Sequence, residues 1–163
     1  MKVPKTDGKC SFFPLYEVML GKTSVKELEE KGTRAKDKDD KGDFYKYYTV
    51  NDMRFWYYGD CANHIYITYT DPIPEQWRAC GLDWNLSYNE WYDLFEKMGF
   101  FMSIVKRPKK EWYQGKMTLA AQFNASKKIA DDVTISFEIY FNYSQKTSVK
   151  ANGTVYSLRV RAN

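Results

Sequence analysis

Histidine is almost missing from this chain. His64 is the only one, and the three cysteines, Cys10, Cys61 and Cys80, form no Cys-x-x-Cys pair. That scarcity argues against a zinc cluster, and no metal is expected. Three cysteines allow at most one intrachain disulfide, and nothing in their spacing says which pair, if any, forms it. The chain also lacks a phosphate-cradling glycine loop and a Gly-x-Ser-x-Gly turn, so neither a P-loop nucleotide site nor a hydrolase nucleophile elbow is present, and no cofactor is expected. No apolar run reaches the length of a membrane-spanning helix, and Met1 is not followed by a signal-peptide core. The expectation is a cytoplasmic protein by default, or an exported one if a leader has been removed. One-sided charge is lacking too. Lys and Arg number 25 against 21 Asp and Glu, a net +4, well short of a nucleic-acid-binding arm.

What the chain has instead is aromatic mass. Aromatic residues are 18% of 163, with 14 Tyr and 5 Trp, which is the composition of one folded domain with a substantial core. It also has an internal repeat. Pro14 and Gly21 bracket six residues, and after a gap Ser24 and Glu27 stand three apart before Gly32. Pro74 and Gly81 bracket six more, and Ser87 and Glu90 stand three apart before Gly99. Proline suits the first turn of a helix and glycine its end, so 14–20 and 74–80 each read as a short helix. Each Ser-x-x-Glu is a capping box opening a second helix. Leu15, Val18 and Met19 share one side of the first segment; Trp91, Leu94, Phe95 and Met98 share one side of the last.

Strands fill the rest. Segments 44–50, 53–58 and 63–70 follow the first helical pair, and 100–106, 116–124, 133–143 and 154–161 follow the second. Alternation is cleanest in 133–143, where Val133, Ile135, Phe137, Ile139 and Phe141 share a face; Met117, Leu119 and Tyr156, Leu158, Val160 fit the same scheme. The charge-alternating run 34–43 reads as a solvated loop, because Lys41 and Tyr48 stand where a calcium loop needs oxygen ligands. Four Asn-x-Ser/Thr sequons, at Asn85, Asn124, Asn142 and Asn152, read as polar strand ends and turns. The expected fold is α+β, a single domain over 1–163. It has a loose tail (1–12) and two repeats (13–70 and 71–163), whose strands join one antiparallel sheet with the helices on one face.

On these residues, Gly21 through Ser24 and Glu27 to Gly32, and Leu86, Ser87 and Glu90 to Gly99, the layout resembles the β-lactamase inhibitor protein fold. There, tandem helix–loop–helix plus four-strand units build a concave sheet, and small outer-membrane-assembly lipoproteins carry a one-copy relative of the unit. The resemblance implies a protein that binds another protein through the open sheet. Three cysteines do not match the disulfides expected within that family's repeats.

Residue by residue, the expected function is non-enzymatic protein binding, with an inhibitory role as its sharper form. If Met53, Phe55 and Tyr57 face the helices, then Arg54, Trp56 and Tyr58 face outward. Tyr45, Tyr47 and Tyr66 join them, with Tyr140 from the second repeat. Tyr, Trp and Arg are the residue types that anchor interfaces. Two other readings compete. Lys106 to Lys110 is a basic Pro-containing turn, read first as a solvated hairpin. With Arg159 and Arg161 and stacking aromatics it could serve single-stranded nucleic acid, which is not the expected partner. Cys61 and His64 could pair as nucleophile and base, although their spacing supplies no geometry for it.

Overall fold

The computed structural model describes residues 10–113, 116–144 and 155–163, with side chains described for 10–109, 120–141 and 157–163. Among the described residues, three helices and eight strands follow in chain order: α1 (Val25–Lys31), β1 (Thr33–Arg34), β2 (Tyr47–Val50), β3 (Met53–Tyr58), β4 (Cys61–Thr68), α2 (Glu75–Arg78), α3 (Tyr88–Lys97), β5 (Phe101–Tyr113), β6 (Lys116–Ala130), β7 (Val133–Ser144) and β8 (Val155–Ala162). The strands form one antiparallel sheet in the order β1-β2-β3-β4-β8-β7-β6-β5. The last strand therefore lies at the centre, bonded to β4 on one side and β7 on the other.

Both serines cap their helices, but the reciprocal capping box expected at each closes only at α3; at α1 the Glu27 carboxylate takes a bond from the Ser24 hydroxyl and not from the Ser24 amide. The Ser87 hydroxyl accepts from the Glu90 amide, and the Glu90 carboxylate accepts from the Ser87 amide, closing the first turn of α3. At α1 the Ser24 hydroxyl accepts from Glu27 N–H. The Asn51–Asp52 hairpin also forms, with both residues at positive φ (50° and 64°).

The segment 14–20 is not helical. Leu15 and Val18 exchange both backbone hydrogen bonds at 2.9 Å around Tyr16 and Glu17, which take left-handed φ values of 51° and 64°. Bonds from sixty residues away hold the chain leading into it. Gln76 donates its side-chain amide to the carbonyls of Ser11 and Pro14, and Trp77 donates its indole N–H to that of Phe12. Those carbonyls are satisfied without a helix, and Leu15, Val18 and Leu20 are fully buried by the turn. The segment 74–80 is helical over Glu75–Arg78 only, and Gly81 ends it at φ 103°.

Residues 10–12, expected at the end of a loose tail, are anchored instead. Cys10 is bonded to Cys80, and Phe12 sits among Trp77, Phe95, Phe100 and Phe137 at ring separations of 4.9 to 6.0 Å. Residues 1–9 lie outside the described part. The basic stretch 106–110, expected as a turn, lies inside β5, whose pairing with β6 slips between Ile104 and Lys106 and again between Lys106 and Lys109. β5 is an edge strand, and the slip carries Pro108 past the ladder it cannot bond to.

The core unites Leu28 of α1, Trp77 of α2, and Trp91, Leu94 and Phe95 of α3 with alternate strand residues, among them Phe55, Ile65, Phe123, Ile135, Phe137, Ile139, Leu158 and Val160. Met117, Leu119 and Tyr156, expected inward, lie outside the described side chains, as do the sequons at Asn142 and Asn152.

Candidate partner-binding face

Alternation decides which residues reach the other face of the sheet. With Met53 and Phe55 buried, Arg54 and Trp56 point away from the core. Register then carries this face across five strands. Tyr47 lies opposite Trp56, Trp56 opposite His64, His64 opposite Arg161, and Arg161 opposite Ser136. The next row joins Tyr66, Arg159 and Glu138, and a third joins Thr68, Ser157, Tyr140 and Gln122.

The first row is a run of rings. Tyr45 stacks on Tyr47 (6.4 Å) and meets Trp56 edge-on (6.1 Å), and Tyr47 tilts against Trp56 (4.8 Å). The His64 imidazole lies between the Trp56 and Tyr58 rings at 5.6 and 5.5 Å, nearly parallel to both. The Arg54 guanidinium covers the Tyr47 ring at 5.0 Å, and the Arg159 guanidinium covers Tyr66 at 5.6 Å.

Of the seven residues expected here, Arg54 is exposed, Tyr58 is 62% exposed, and Tyr45 and Tyr66 are each 40% exposed. Trp56 and Tyr140 are half-buried. Tyr47 departs from expectation. It lies on this face but is only 5% exposed, closed in by Tyr45, Trp56 and the Arg54 head, so its contribution is support for its neighbours. Tyr140 donates its hydroxyl to Glu138 at 3.0 Å. Burial, then that carboxylate, raises its pKa.

His64 was not among the expected site residues, yet it stands in the first row. Position held the signal, since His64 and Tyr66 alternate with buried Ile65 and Ile67. Its pKa is lowered to about 4, first by burial, then by Arg161 and Arg159, with Glu138 opposing. Its Nδ1 lies 3.2 Å from Asn63 Oδ1. Cys61 is a free, half-buried thiol opposite Tyr58 at the start of β4, while the imidazole plane is occupied by Trp56 and Tyr58.

Two shallow depressions open on this face. One, of about 410 Å³, is bordered by Tyr58, Asn63, His64, Arg159 and Arg161. The other, of about 460 Å³, is bordered by Tyr66, Lys106, Gln122, Tyr140 and Arg159. Arg159 stands at both. Among the described residues, no group of three His, Cys, Asp or Glu side chains gathers to hold a metal, and no helix is long and apolar enough to cross a membrane. No family model, curated protein or solved structure matches the chain.

Proposed function

We propose that this chain is a non-enzymatic protein-binding module that grips its partner with the face bearing Tyr45, Arg54, Trp56, Tyr58 and Tyr66, with Tyr140 contributing from the second half. The observation that carries the reading is the continuous ring surface from Tyr45 to Tyr58, half-exposed across three strands. Monomers seldom leave such a surface bare without a use for it, and rigid rings gain contact area with little entropy to lose.

We further propose that the two halves are tandem copies packed with their helices on one side. In support, each half places an N-capped helix before four strands, and the strand order reads the same from either edge inward. This is the layout that resembles the β-lactamase inhibitor protein fold, and an inhibitory role is the sharper form of the proposal. The Cys10–Cys80 bond supports an oxidising compartment for the folded protein.

The test pairs two adjacent residues of β3 against a partner captured from the native host. Trp56→Ala is expected to weaken binding by about 2 kcal/mol or more, with a stability loss near 1 kcal/mol from its ring contacts. Phe55→Ala is expected to cost about 3–5 kcal/mol of folding through the cavity it opens. Binding indifferent to Trp56→Ala in a folded protein would remove the ring surface as the interface.

A further inference from the structure

Charge on the open face is uneven in a way the whole chain is not. Arg54 on β3, Lys106 on β5, and Arg159 and Arg161 on β8 all reach it. Among the described residues of the sheet, Glu138 on β7 is the one carboxylate on that side. The two arginines are alternate residues of the central strand, so their Cα atoms are roughly 7 Å apart. Their charges are only partly answered. Arg161 Nε is 3.8 Å from Glu138 Oε1, a long contact on a side chain 48% exposed. Arg159 Nε is buried with no hydrogen-bond partner among the described residues, and its guanidinium rests on Tyr66. A buried guanidinium N–H without an acceptor is costly, and it stands where both surface depressions meet.

Resting on the open face as the working surface, we infer that its partner presents an acidic protein segment, whose Asp or Glu carboxylate seats against Arg159 and Arg161 while the flanking residues lie on the rings of Trp56, Tyr58 and Tyr66. Arginine's planar fork suits a carboxylate, donating two parallel hydrogen bonds to its oxygens. Lys106 extends the positive field on the β5 side and helps steer an acidic loop into register, while Arg54 shares its depression with Asp52, Asp71 and Glu75.

His64 supplies a built-in reporter, since it is the only histidine. The groups around its ring are Trp56 and Tyr58 from β3, Asn63 from its own strand, Arg159 and Arg161 from β8 and Glu138 from β7. Burial holds its pKa down first, the two arginines add to that, and Glu138 holds it up. A second carboxylate arriving beside Arg161 acts in the same sense as Glu138 while the flanking residues deepen the burial, so the imidazole's titration midpoint shifts on binding by the balance of the two.

The experiment uses the full chain and three probes of equal length: a short peptide of glutamate and tyrosine, the same peptide with glutamine for glutamate, and an oligothymidylate. Binding is followed by intrinsic fluorescence, and His64 by proton NMR across acid pH. The acidic peptide is expected to bind at low salt, weaken as salt rises, and outbind its glutamine counterpart by about tenfold or more. Arg161→Gln, at an exposed side chain where folding is not at stake, should weaken the acidic peptide by a similar factor. Glu138→Gln should strengthen it, and in the parent chain the His64 midpoint should shift when the acidic peptide binds. An oligothymidylate bound as tightly as the acidic peptide would assign the arginines to nucleic acid and overturn the inference. So would an acidic peptide that does not bind, or one indifferent to Arg161→Gln and Glu138→Gln. The two readings fail separately. If Trp56→Ala weakens both peptides while the charge variants change nothing, the aromatic face stands and the acidic partner falls. If the charge variants act and Trp56→Ala does not, the acidic preference stands and the ring surface is lost as anchor.

Discussion

Between Trp56 and Tyr58 the His64 imidazole is held neutral well into acid, with its pKa lowered from 6.5 to about 4 by burial and by Arg161 and Arg159. Between those two values the unfolded chain takes up a proton that the folded chain refuses. Stability is therefore full above pH 6.5 and falls as pH falls through that window. The ring is half-exposed, so solvent screening discounts the effect to about 1 kcal/mol. Denaturant titrations across the window should show the slope in the native chain and a flatter profile in His64→Gln, after allowing for the carboxylates common to both. An unchanged slope in the variant would place the proton uptake elsewhere. At this scale the sequence was only partly legible. Alternation told Phe55 from Trp56 and Arg54 correctly. It could not tell that Tyr47, on the same face as Trp56, is sealed by Tyr45 and by Arg54 and Trp56 of the adjacent strand, because burial on an open sheet depends on cross-strand partners. His64 was hidden for the opposite reason: a lone histidine advertises chemistry, and here its role is a flat ring in a stack.

Helix ends and glycines show which local signals travel. Ser-x-x-Glu needs only its own four residues to form, so both serine N-caps were readable and both are made, although the reciprocal glutamate bond closes only at Ser87/Glu90. Proline and glycine six residues apart bound a helix only if the backbone between them has no better partners, and at 14–20 it does: Leu15 and Val18 bond each other, Gln76 holds the Pro14 carbonyl and the Thr23 hydroxyl accepts from the Met19 amide. Gly32 makes the same point within one element. It follows α1 as a closing glycine should, but its φ of −140° is extended and open to any residue. What requires glycine is space. A Cβ at Gly32 would lie 2.5 Å from the Thr49 carbonyl oxygen and 2.7 Å from Val50 Cγ2, where α1 hands over to β1 beside β2. Gly32→Ala is expected to cost about 2–3 kcal/mol, the range of overpacking against an unyielding neighbour. A thermal or urea melt reads it. A loss within a few tenths would mean that β1 and β2 part easily and that this edge of the sheet is soft.

The whole molecule is tied by contacts that no local pattern announces. The alternating strands made the antiparallel sheet legible, but not its order, in which β8 crosses to the centre and pairs with β4. Nor was the entry of the chain legible. Phe12 fills the space between α2, α3 and β7, and Cys10 joins Cys80 across 70 residues, a span enclosing the whole first half of the sheet. Such a bond acts mainly by restricting the unfolded chain, and for a loop of this length the ceiling is about 4 kcal/mol. Two outcomes can be told apart. If the bond holds only a fraying end, removing it leaves global stability unchanged. If 10–14 is an integral part of the core, as Phe12 and the donors from Gln76 and Trp77 imply, the loss appears in the cooperative transition itself. The comparison is Cys10→Ala/Cys80→Ala against the parent chain, both carrying Cys61→Ala so that no third thiol can exchange. The double variant should unfold in one transition at a lower midpoint, by about 2–4 kcal/mol, while Trp77 fluorescence stays native below it, since Phe12 remains docked without the bond.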